Sequence, residues 1–238
     1  MPEWSYLSDS LRQDLLHYAA DGGNLLVIGA QAVRLFDREL GVALAGDTTT
    51  RQQWLGYGNQ ITGVRALMQP VRLSAETRPF ASTYKAQDLR FADQPAASIT
   101  PYGRGKIAAV YLNLGKSYVS TKSTVVRDLL SGLVHELFPV PLVRVTGSHR
   151  VHMTVNRIQN KLAVNLINVG GDHANKQVFS YDDVPVLGPL QVRIIAPKKP
   201  ARVVLQPEGT PLPFRYVNQT VSATVPRLAI HSVVVVEP

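Results

Sequence analysis

Cysteine is absent from the 238-residue sequence. Its absence excludes disulfide bonds, thiolate metal sites and a cysteine nucleophile. Long apolar runs are also missing, since runs such as Leu25–Ile28 and Val233–Val236 have the length of strands, whereas a membrane-spanning helix needs about 20 apolar residues. Because the first residues lack the basic start and apolar stretch of a secretory signal, we expect a cytoplasmic protein with no membrane partner.

Acidic residues are fewer than basic ones, and the formal net charge is +8. Such a balance favours acidic partners, nucleic acid among them. The basic residues are scattered, however. The densest group, Lys198, Lys199 and Arg202, is interrupted by prolines and lacks the interleaved aromatic residues of a groove for single-stranded nucleic acid. The pattern therefore favours an ordinary solvated basic surface over a nucleic-acid site.

Signatures of common catalytic sites are missing too. The sequence has no Gly-x-Ser-x-Gly elbow of a serine hydrolase. The pair His135-Glu136 could start a zinc-protease helix, but Pro139 stands where the second histidine belongs. His149 and His152 lie three residues apart, so on a strand they point to opposite faces and are not expected to bind one metal ion. We therefore expect no cofactor, no metal and no catalytic residue.

Carboxyl groups leave one alternative open. Glycosidases need two carboxyl groups that face each other across a sugar. The acidic residues Asp182, Asp183, Glu208 and Glu237 cannot be paired in this way from the sequence alone. A hydrolase site at a domain junction, using Asp182, Asp183 or His173, is the competing hypothesis.

The strongest pattern lies near the start of the chain, where a capped helix ends at Gly22-Gly23. The apolar strand Leu25–Ile28 follows, as in a parallel sheet covered by helices on both faces. A second helix is predicted over Ala30–Leu40, with Val33 and Phe36 on its inner side. This order is typical of one unit of an α/β sheet.

The turn after such a strand usually carries the chemistry of an α/β protein. Here it reads Gly29-Ala30-Gln31-Ala32. None of these residues offers a nucleophile, a base or a strong metal ligand. The turn therefore supports the predicted fold but does not indicate a chemical reaction.

Periodicity fails between Gly41 and Thr62, where we expect loops or short irregular strands. Trp54 and Tyr57 lie in this stretch and are the ligand candidates of the sequence. Their rings could stack on a sugar, or they could cover a sheet edge or an interface. Nothing in the pattern places them in a cleft, which favours the second interpretation.

The middle of the chain predicts four further elements. Val64–Leu73 and Ala96–Thr100 have the pattern of short strands. The turn Gly103-Arg104-Gly105-Lys106 is interpreted as a hairpin that leads into the strand Ile107–Leu112, because the helix that must follow a dinucleotide-binding loop is missing. Thr124–Phe138 carries one apolar stripe and predicts a core helix.

After Pro139 and Pro141 the pattern changes to short alternating runs separated by turn residues. Seven strands are predicted, namely Val151–Ile158, Leu162–Val169, Leu190–Ala196, Arg202–Gln206, Phe214–Val217, Thr220–Val225 and Ile230–Glu237. Strands at this spacing indicate an antiparallel β-sandwich. We therefore predict an α/β domain over residues 1–143 and a sandwich over residues 144–238.

The order of elements resembles a known family. The first helix, the run Gly22–Val27, the glycine turn and the Gly103–Ile107 hairpin resemble the flavodoxin-like, class I glutamine-amidotransferase-like domain found as the trimerisation domain of some β-galactosidases and related glycoside hydrolases. The runs Leu162–Asn168 and Pro189–Val192 are similar to the β-sandwich that follows such domains. In the glutaminases the nucleophile is a cysteine, which is missing here. In the glycosidases the chemistry lies in a separate barrel, which needs about 250 residues.

The resemblance implies a non-catalytic accessory or oligomerisation module without the catalytic barrel. Its expected partner is a second copy of the chain or a separate catalytic glycosidase chain, with carbohydrate as a further candidate. The chain also begins with a helix where an α/β domain commonly begins with a strand. If a first β-unit is missing, Leu25–Ile28 lies near an open sheet edge. A second chain could cover this edge, or Trp4, Tyr6 and Leu7 could fold back over it.

Overall fold

The computed structural model describes residues 1–171 and 183–238. The chain divides into two compact units, Met1–Pro139 and Val140–Pro238. Within the described residues, no helix is both long enough and apolar enough to cross a membrane.

Residues 1–139, all of them described, form a mixed sheet with helices packed on it. In chain order the elements are α1 (Asp9–Ala20), β1 (Asn24–Ile28), α2 (Ala30–Val33), β2 (Val42–Leu44), β3 (Thr49–Tyr57), β4 (Gln60–Met68), β5 (Val71–Leu73), β6 (Arg78–Tyr84), β7 (Ala92–Tyr102), β8 (Gly105–Val110), α3 (Leu114–Thr121) and α4 (Thr124–Leu137). Six strands form one sheet in the order β1-β8-β7-β6-β3-β4, and β2 pairs with β5. Helix α1 packs on β1 and β8, and α4 packs on β1, β3, β4 and β8.

The flavodoxin-like, glutamine-amidotransferase-like arrangement predicted from the sequence is not evident in this first unit. Among residues 1–139 only β1 and β8 pair in parallel, and the other strand pairs are antiparallel. The reason lies in the connections. Two-residue turns join β3 to β4 and β7 to β8, and connections this short can only join antiparallel neighbours.

The helix predicted over Ala30–Leu40 is much shorter than expected. Helix α2 ends at Val33, and its N-cap Gly29 has no side chain to hold the first turn. The residues that follow form turns. Val33 and Phe36 are nevertheless fully buried, as the sequence predicted.

The stretch expected to be irregular, 41–62, contains a long hairpin instead. Strands β3 and β4 pair continuously from Thr49 with Met68 to Tyr57 with Gln60. The predicted strand Val64–Leu73 is divided between β4 and β5, and Ala96–Thr100 lies within the longer β7. Strand β6 and helix α3 were not predicted. The helix predicted over Thr124–Phe138 is confirmed as α4.

Both ends of the six-stranded sheet are paired with other backbone. At the β1 end, Met1–Glu3 lies alongside β1: the Met1 ammonium donates to the Leu26 carbonyl at 2.7 Å, and Ile28 N donates to the Met1 carbonyl at 2.9 Å. The edge that the sequence suggested to be open is thus covered by these first residues. At the β4 end, Asn113 N donates to the Leu67 carbonyl at 2.9 Å, so the chain just after β8 joins β4 and curls the sheet.

The predicted hairpin at Gly103–Lys106 is confirmed, and it lies against the end of α1. Arg104 N donates to the Ala20 carbonyl at 2.9 Å, which satisfies one of the carbonyl groups that the last helical turn leaves without a partner. The hairpin therefore acts as a cap for α1.

The core of the first unit contains one buried tyrosine, Tyr111, whose hydroxyl is hydrogen-bonded to Ser98 Oγ. Burial raises the pKa of Tyr111 to about 12 from an ordinary value of 10.0, and the Ser98 hydrogen bond offsets only part of this rise. In the unfolded chain the phenol ionises near its ordinary pKa. The stabilisation contributed by neutral Tyr111 is therefore complete below pH 10 and is lost as the pH rises towards 12.

We expect the free energy of unfolding to fall by roughly 2–3 kcal/mol through this residue between pH 10 and 12. Urea unfolding of the wild type and of Tyr111→Phe at pH 9 to 12 checks this expectation, because the phenylalanine variant lacks the ionisable group. The stability difference between the two proteins should shrink by that amount. A difference that stays constant over this range would contradict the expectation.

Strand β3 buries an amide that lacks a partner. Gln53 is 7% exposed, and neither its Nε2 nor its Oε1 has a hydrogen-bond partner in the described part of the chain. A buried polar group without a partner destabilises a fold by about 1–3 kcal/mol. We therefore expect Gln53→Leu to raise the thermal midpoint, as measured by circular dichroism. Gln52→Leu, at an exposed neighbour on the opposite face, should give no such gain, and a lower midpoint for Gln53→Leu would refute the argument.

The second unit is an antiparallel β-sandwich within its described residues, which confirms the sequence prediction. Its strands are β9 (Val143–Thr146), β10 (Val151–Ile158), β11 (Lys161–Asn168), β12 (Leu190–Ile195), β13 (Arg202–Gln206), β14 (Thr210–Pro211), β15 (Phe214–Val217), β16 (Thr220–Val225) and β17 (His231–Glu237). One sheet has the order β10-β11-β17-β13-β14 and the other β15-β16-β12-β9. Alternate residues of both sheets, such as Val164, Val192, Val221 and Val234, form one common core.

Candidate functional site

The turn after β1, where an α/β enzyme commonly holds its chemistry, is filled by the chain itself. Gly29 has φ +109°, and a side chain there would meet Glu3 and Asn113 at about 3 Å. Asn113 Oδ1 accepts a hydrogen bond from Ala30 N at 2.9 Å. The carboxyl end of the parallel pair β1 and β8 is therefore closed by residues that perform a structural role.

An aromatic cavity lies instead between the ends of β3 and β6. The rings of Tyr57 and Phe80 stack with centroids 5.5 Å apart and an interplanar angle of 26°. The Tyr57 hydroxyl lies so close to Gly132 of α4 that any side chain at position 132 would overlap it. Tyr57 is thus wedged between β6 and α4.

Tyr84 lies across from Trp54 on the neighbouring strand, and the two are directly paired in register. The ring of Tyr84 covers Gly56, and the ring of Trp54 lies beside Gly63. Because glycine has no side chain, these positions leave room for the rings on the sheet. Both aromatic residues are half-buried.

The cavity has a volume of about 270 Å³ and includes Tyr57, Phe80, Ser82 and Tyr84 in its lining. Trp54 does not line it, so the structure brings only one of the two sequence candidates into this cavity. Aromatic faces beside hydroxyl groups can hold the apolar face of a sugar ring while donating to its hydroxyls. The sequence missed Phe80 and Tyr84 because they lie in a stretch that was not predicted to be a strand.

The other candidates from the sequence are His173 and the acidic residues. His173 and Asp182 lie outside the described residues, and Asp183 and Glu208 are exposed. Glu237 is held by ion pairs with Arg202 and with Lys161, the latter at 2.7 Å. The hydrogen bond from Arg202, followed by that from Lys161, keeps the pKa of Glu237 below its ordinary value.

The histidines and the glutamate weighed as metal ligands lie at the surface. His149 and His152 are exposed, and Glu136 forms an ion pair with Arg78 at 2.9 Å. Within the described residues, no group of three or more potential ligands could hold a metal ion.

A third feature of the first unit is an apolar cleft at the ends of α1 and α4, with a volume of about 470 Å³. Tyr18, Val134 and Phe138 line it and are 57%, 50% and 58% exposed. Exposed apolar clusters of this kind mark surfaces that associate with other molecules.

Comparison with known proteins relates the whole chain to parts of larger enzymes. No family model matches the sequence, and no characterised protein matches it by sequence. Among solved structures, an α-L-fucosidase isoenzyme 2 from Paenibacillus thiaminolyticus aligns with 100% of this chain at a TM-score of 0.82 and 18% identity. The fold is one found in glycoside hydrolases.

Two β-galactosidases share this fold at lower similarity. A GH42 enzyme from G. stearothermophilus aligns with 100% of the chain at a TM-score of 0.61 and 13% identity. An enzyme from Bacillus circulans sp. alkalophilus aligns with 99% at a TM-score of 0.61 and 10% identity. The chain spans 40% of the fucosidase and 31% and 32% of the two β-galactosidases.

Proposed function

We propose that this chain is a non-catalytic accessory or oligomerisation module of a glycoside-hydrolase architecture. The proposal rests on how much of each chain the structural alignments cover. They cover all or nearly all of this chain but 40% or less of each larger enzyme. A (β/α)8 barrel needs about 250 residues, and both units described here have other folds.

The geometry within each of the two units supports this proposal. Glu3 and Asn113 fill the turn after β1, and Glu237 is engaged by two cations. The competing hypothesis is a glycoside hydrolase that uses Asp182, Asp183 or His173. The purified chain should show no turnover of a panel of aryl glycosides or of glutamine. Turnover that disappears in Asp182→Asn, Asp183→Asn or His173→Ala would refute the accessory role.

We also infer that the first unit is related to the glutamine-amidotransferase-like trimerisation domain of β-galactosidases. The resemblance noted in the sequence lies in α1, β1 and the hairpin that leads into β8, and β1 pairs with β8 in parallel. The alignment with two β-galactosidases over almost the whole chain supports the relationship. The cytoplasmic location expected from the sequence likewise stays a prediction.

Association is the expected activity of such a module, with a second copy or with a separate catalytic chain. Because Met1–Glu3 pairs with β1, an open sheet edge no longer gives a reason for association. The apolar cleft around Tyr18 and Phe138 gives one instead. Light scattering after size-exclusion chromatography should give a mass above 26.1 kDa at micromolar concentration. Phe138→Ser should lower that mass, whereas Val119→Ser, at an exposed valine of α3, should not. A monomer mass at all concentrations, alone and with a glycosidase chain, would contradict association.

Carbohydrate binding at the aromatic cavity is the second candidate function. It is favoured by the rings of Tyr57, Phe80 and Tyr84 around one cavity. The chain has two tryptophans, so Trp4→Phe leaves Trp54, next to Tyr84, as the fluorescent reporter. Neutral oligosaccharides should quench its emission, and Tyr84→Ala should abolish the response. An unchanged spectrum across a glycan panel would count against this function.

A further inference from the structure

Three arginines line up across the outer face of one sheet of the sandwich. Arg215 of β15 pairs with Ser222 of β16, Ser222 pairs with Arg193 of β12, and Arg193 pairs with Arg144 of β9. Directly paired residues of neighbouring strands project from the same face of a sheet. The three arginines are exposed, whereas the core residues of these strands alternate with them on the inner face. We call this set, Arg144, Arg193, Ser222 and Arg215, the arginine row.

Polar side chains flank the arginine row on both sides. In the next row, Thr146 and Thr224 both pair with Gln191, and Thr224 Oγ1 donates to Gln191 Oε1 at 3.1 Å. On the other side lies Thr220. Together these residues line a concave surface with a volume of about 790 Å³.

The charge of this surface is one-sided. Among the described residues, its lining includes three arginines and no carboxylate, and neither Arg193 nor Arg215 forms an ion pair. An anionic ligand would supply partners for Arg193 and Arg215, because guanidinium groups bind carboxylate and sulfate oxygens through paired hydrogen bonds.

The size of this surface indicates an extended ligand. Arg193 and Arg215 stand two strands apart, a spacing of about 10 Å, and the concave surface of about 790 Å³ around them has the size of a site for a drug-sized molecule. A ligand that carries several anionic groups along a chain fits this surface, and the threonine, serine and glutamine side chains beside the row provide hydrogen bonds to neutral hydroxyl groups between them.

We propose that the arginine row binds an acidic oligosaccharide, a glycan chain bearing carboxylate or sulfate groups. Nucleic acid fits less well, because single strands stack their bases on aromatic side chains and the aromatic residue lining this surface, Phe214, packs into the core. An acidic protein fits less well, because the centre of a protein interface is commonly apolar. The site lies outside the accessory role proposed above and does not depend on it.

Affinity measurements with defined polymers test this site. Polygalacturonate supplies carboxylates, dextran sulfate supplies sulfates, unmodified dextran is the neutral control, and oligothymidylate supplies phosphates on a nucleic acid. We expect at least one of the two acidic glycans to bind, with an affinity that falls as salt rises. Dextran should not bind, and oligothymidylate should bind more weakly than the better glycan. Failure of both glycans to bind, or tighter binding of oligothymidylate, would overturn the proposal.

Variants locate the binding on the arginine row. The double variant Arg193→Gln with Arg215→Gln should weaken glycan binding by about tenfold or more, because it removes charge-assisted hydrogen bonds. The control is Arg150→Gln with Arg157→Gln, which removes the same charge from exposed arginines of the same unit and should change the affinity by less than about twofold. Equal losses in both double variants would show diffuse attraction to a basic protein and would refute the site. Circular dichroism checks that all variants are folded, and the mass measured by light scattering reports separately on the accessory role.

Discussion

Gly105→Ala should destabilise the first unit by about 3 kcal/mol, since overpacking against backbone leaves no side chain free to move away. Gly105 follows the turn of the β7–β8 hairpin and is buried against the end of α1. A Cβ atom at this position would overlap the carbonyl oxygens of Gly23 and Ala19. The hairpin would have to move away from α1, and the hydrogen bond from Arg104 N to the Ala20 carbonyl would be lost with it.

Thermal unfolding measured by tryptophan fluorescence suits this test, because both tryptophans, Trp4 and Trp54, lie in the first unit. The midpoint should fall by roughly 10 °C. Lys106→Ala is the matched control, since Lys106 is adjacent in sequence and exposed, and it should leave the midpoint nearly unchanged. A Gly105→Ala protein as stable as the wild type would show that the hairpin does not need its close contact with α1.

Asn168→Ala should have a comparable effect on the second unit, with a loss of about 3–4 kcal/mol. Asn168 ends β11 and is buried. Its Nδ2 donates to the carbonyls of Pro185 and Ala229 at 2.8 and 2.7 Å, and its Oδ1 accepts from Gly170 N at 2.8 Å. One side chain thus joins three separate segments of backbone through part-buried hydrogen bonds, and alanine would remove all of them.

Scanning calorimetry measures this loss, and two further variants define its cause. Asn156→Ala, at an exposed position of the neighbouring strand β10, should cost little. Asn168→Asp keeps the acceptor for Gly170 but places a carboxylate beside two carbonyl oxygens, so at neutral pH it should be no more stable than Asn168→Ala. If the aspartate variant were as stable as the wild type, the two Nδ2 hydrogen bonds would not be the source of the effect.

Sequence patterns predicted the elements whose apolar residues face one core without interruption. Helix α4 was predicted from its apolar stripe, and Val126, Leu129 and Leu133 are all buried. The sandwich was predicted from alternation, which the buried and exposed residues of β12 and β17 follow closely. In these elements each residue's environment depends mainly on its own strand or helix.

The β3–β4 hairpin was missed because the usual alternation of apolar and polar residues is not visible in its sequence. The inward position of Gln53 carries an amide, and the outward positions Gly56 and Gly63 carry no side chain, since aromatic rings lie on them. The sequence also predicted more parallel strand pairing than the structure has, for a related reason. The run Leu25–Ile28 does pair in parallel, but which strand it pairs with is decided by contacts distant in sequence.

Neither candidate surface could be assembled from the sequence. Tyr57 meets Phe80 and Tyr84 only because β3 and β6 are neighbours, although β4 and β5 lie between them in the chain. The arginine row depends on the register of four strands, and a shift by one residue in any of them would turn its side chain to the core. Its three arginines looked like scattered charge in the sequence.

The parallel pairing of β1 with β8 has a consequence for synthesis on the ribosome. It joins Asn24 to Lys106, residues separated by roughly 80 positions of chain, so this ladder at the edge of the sheet cannot close until β8 has emerged. Until then β1 lacks its partner in the sheet, while the β3–β4 hairpin, with its local contacts, can already form. The nascent chain therefore exposes an apolar strand while those residues are being added, and exposed strands of this kind are prone to aggregation.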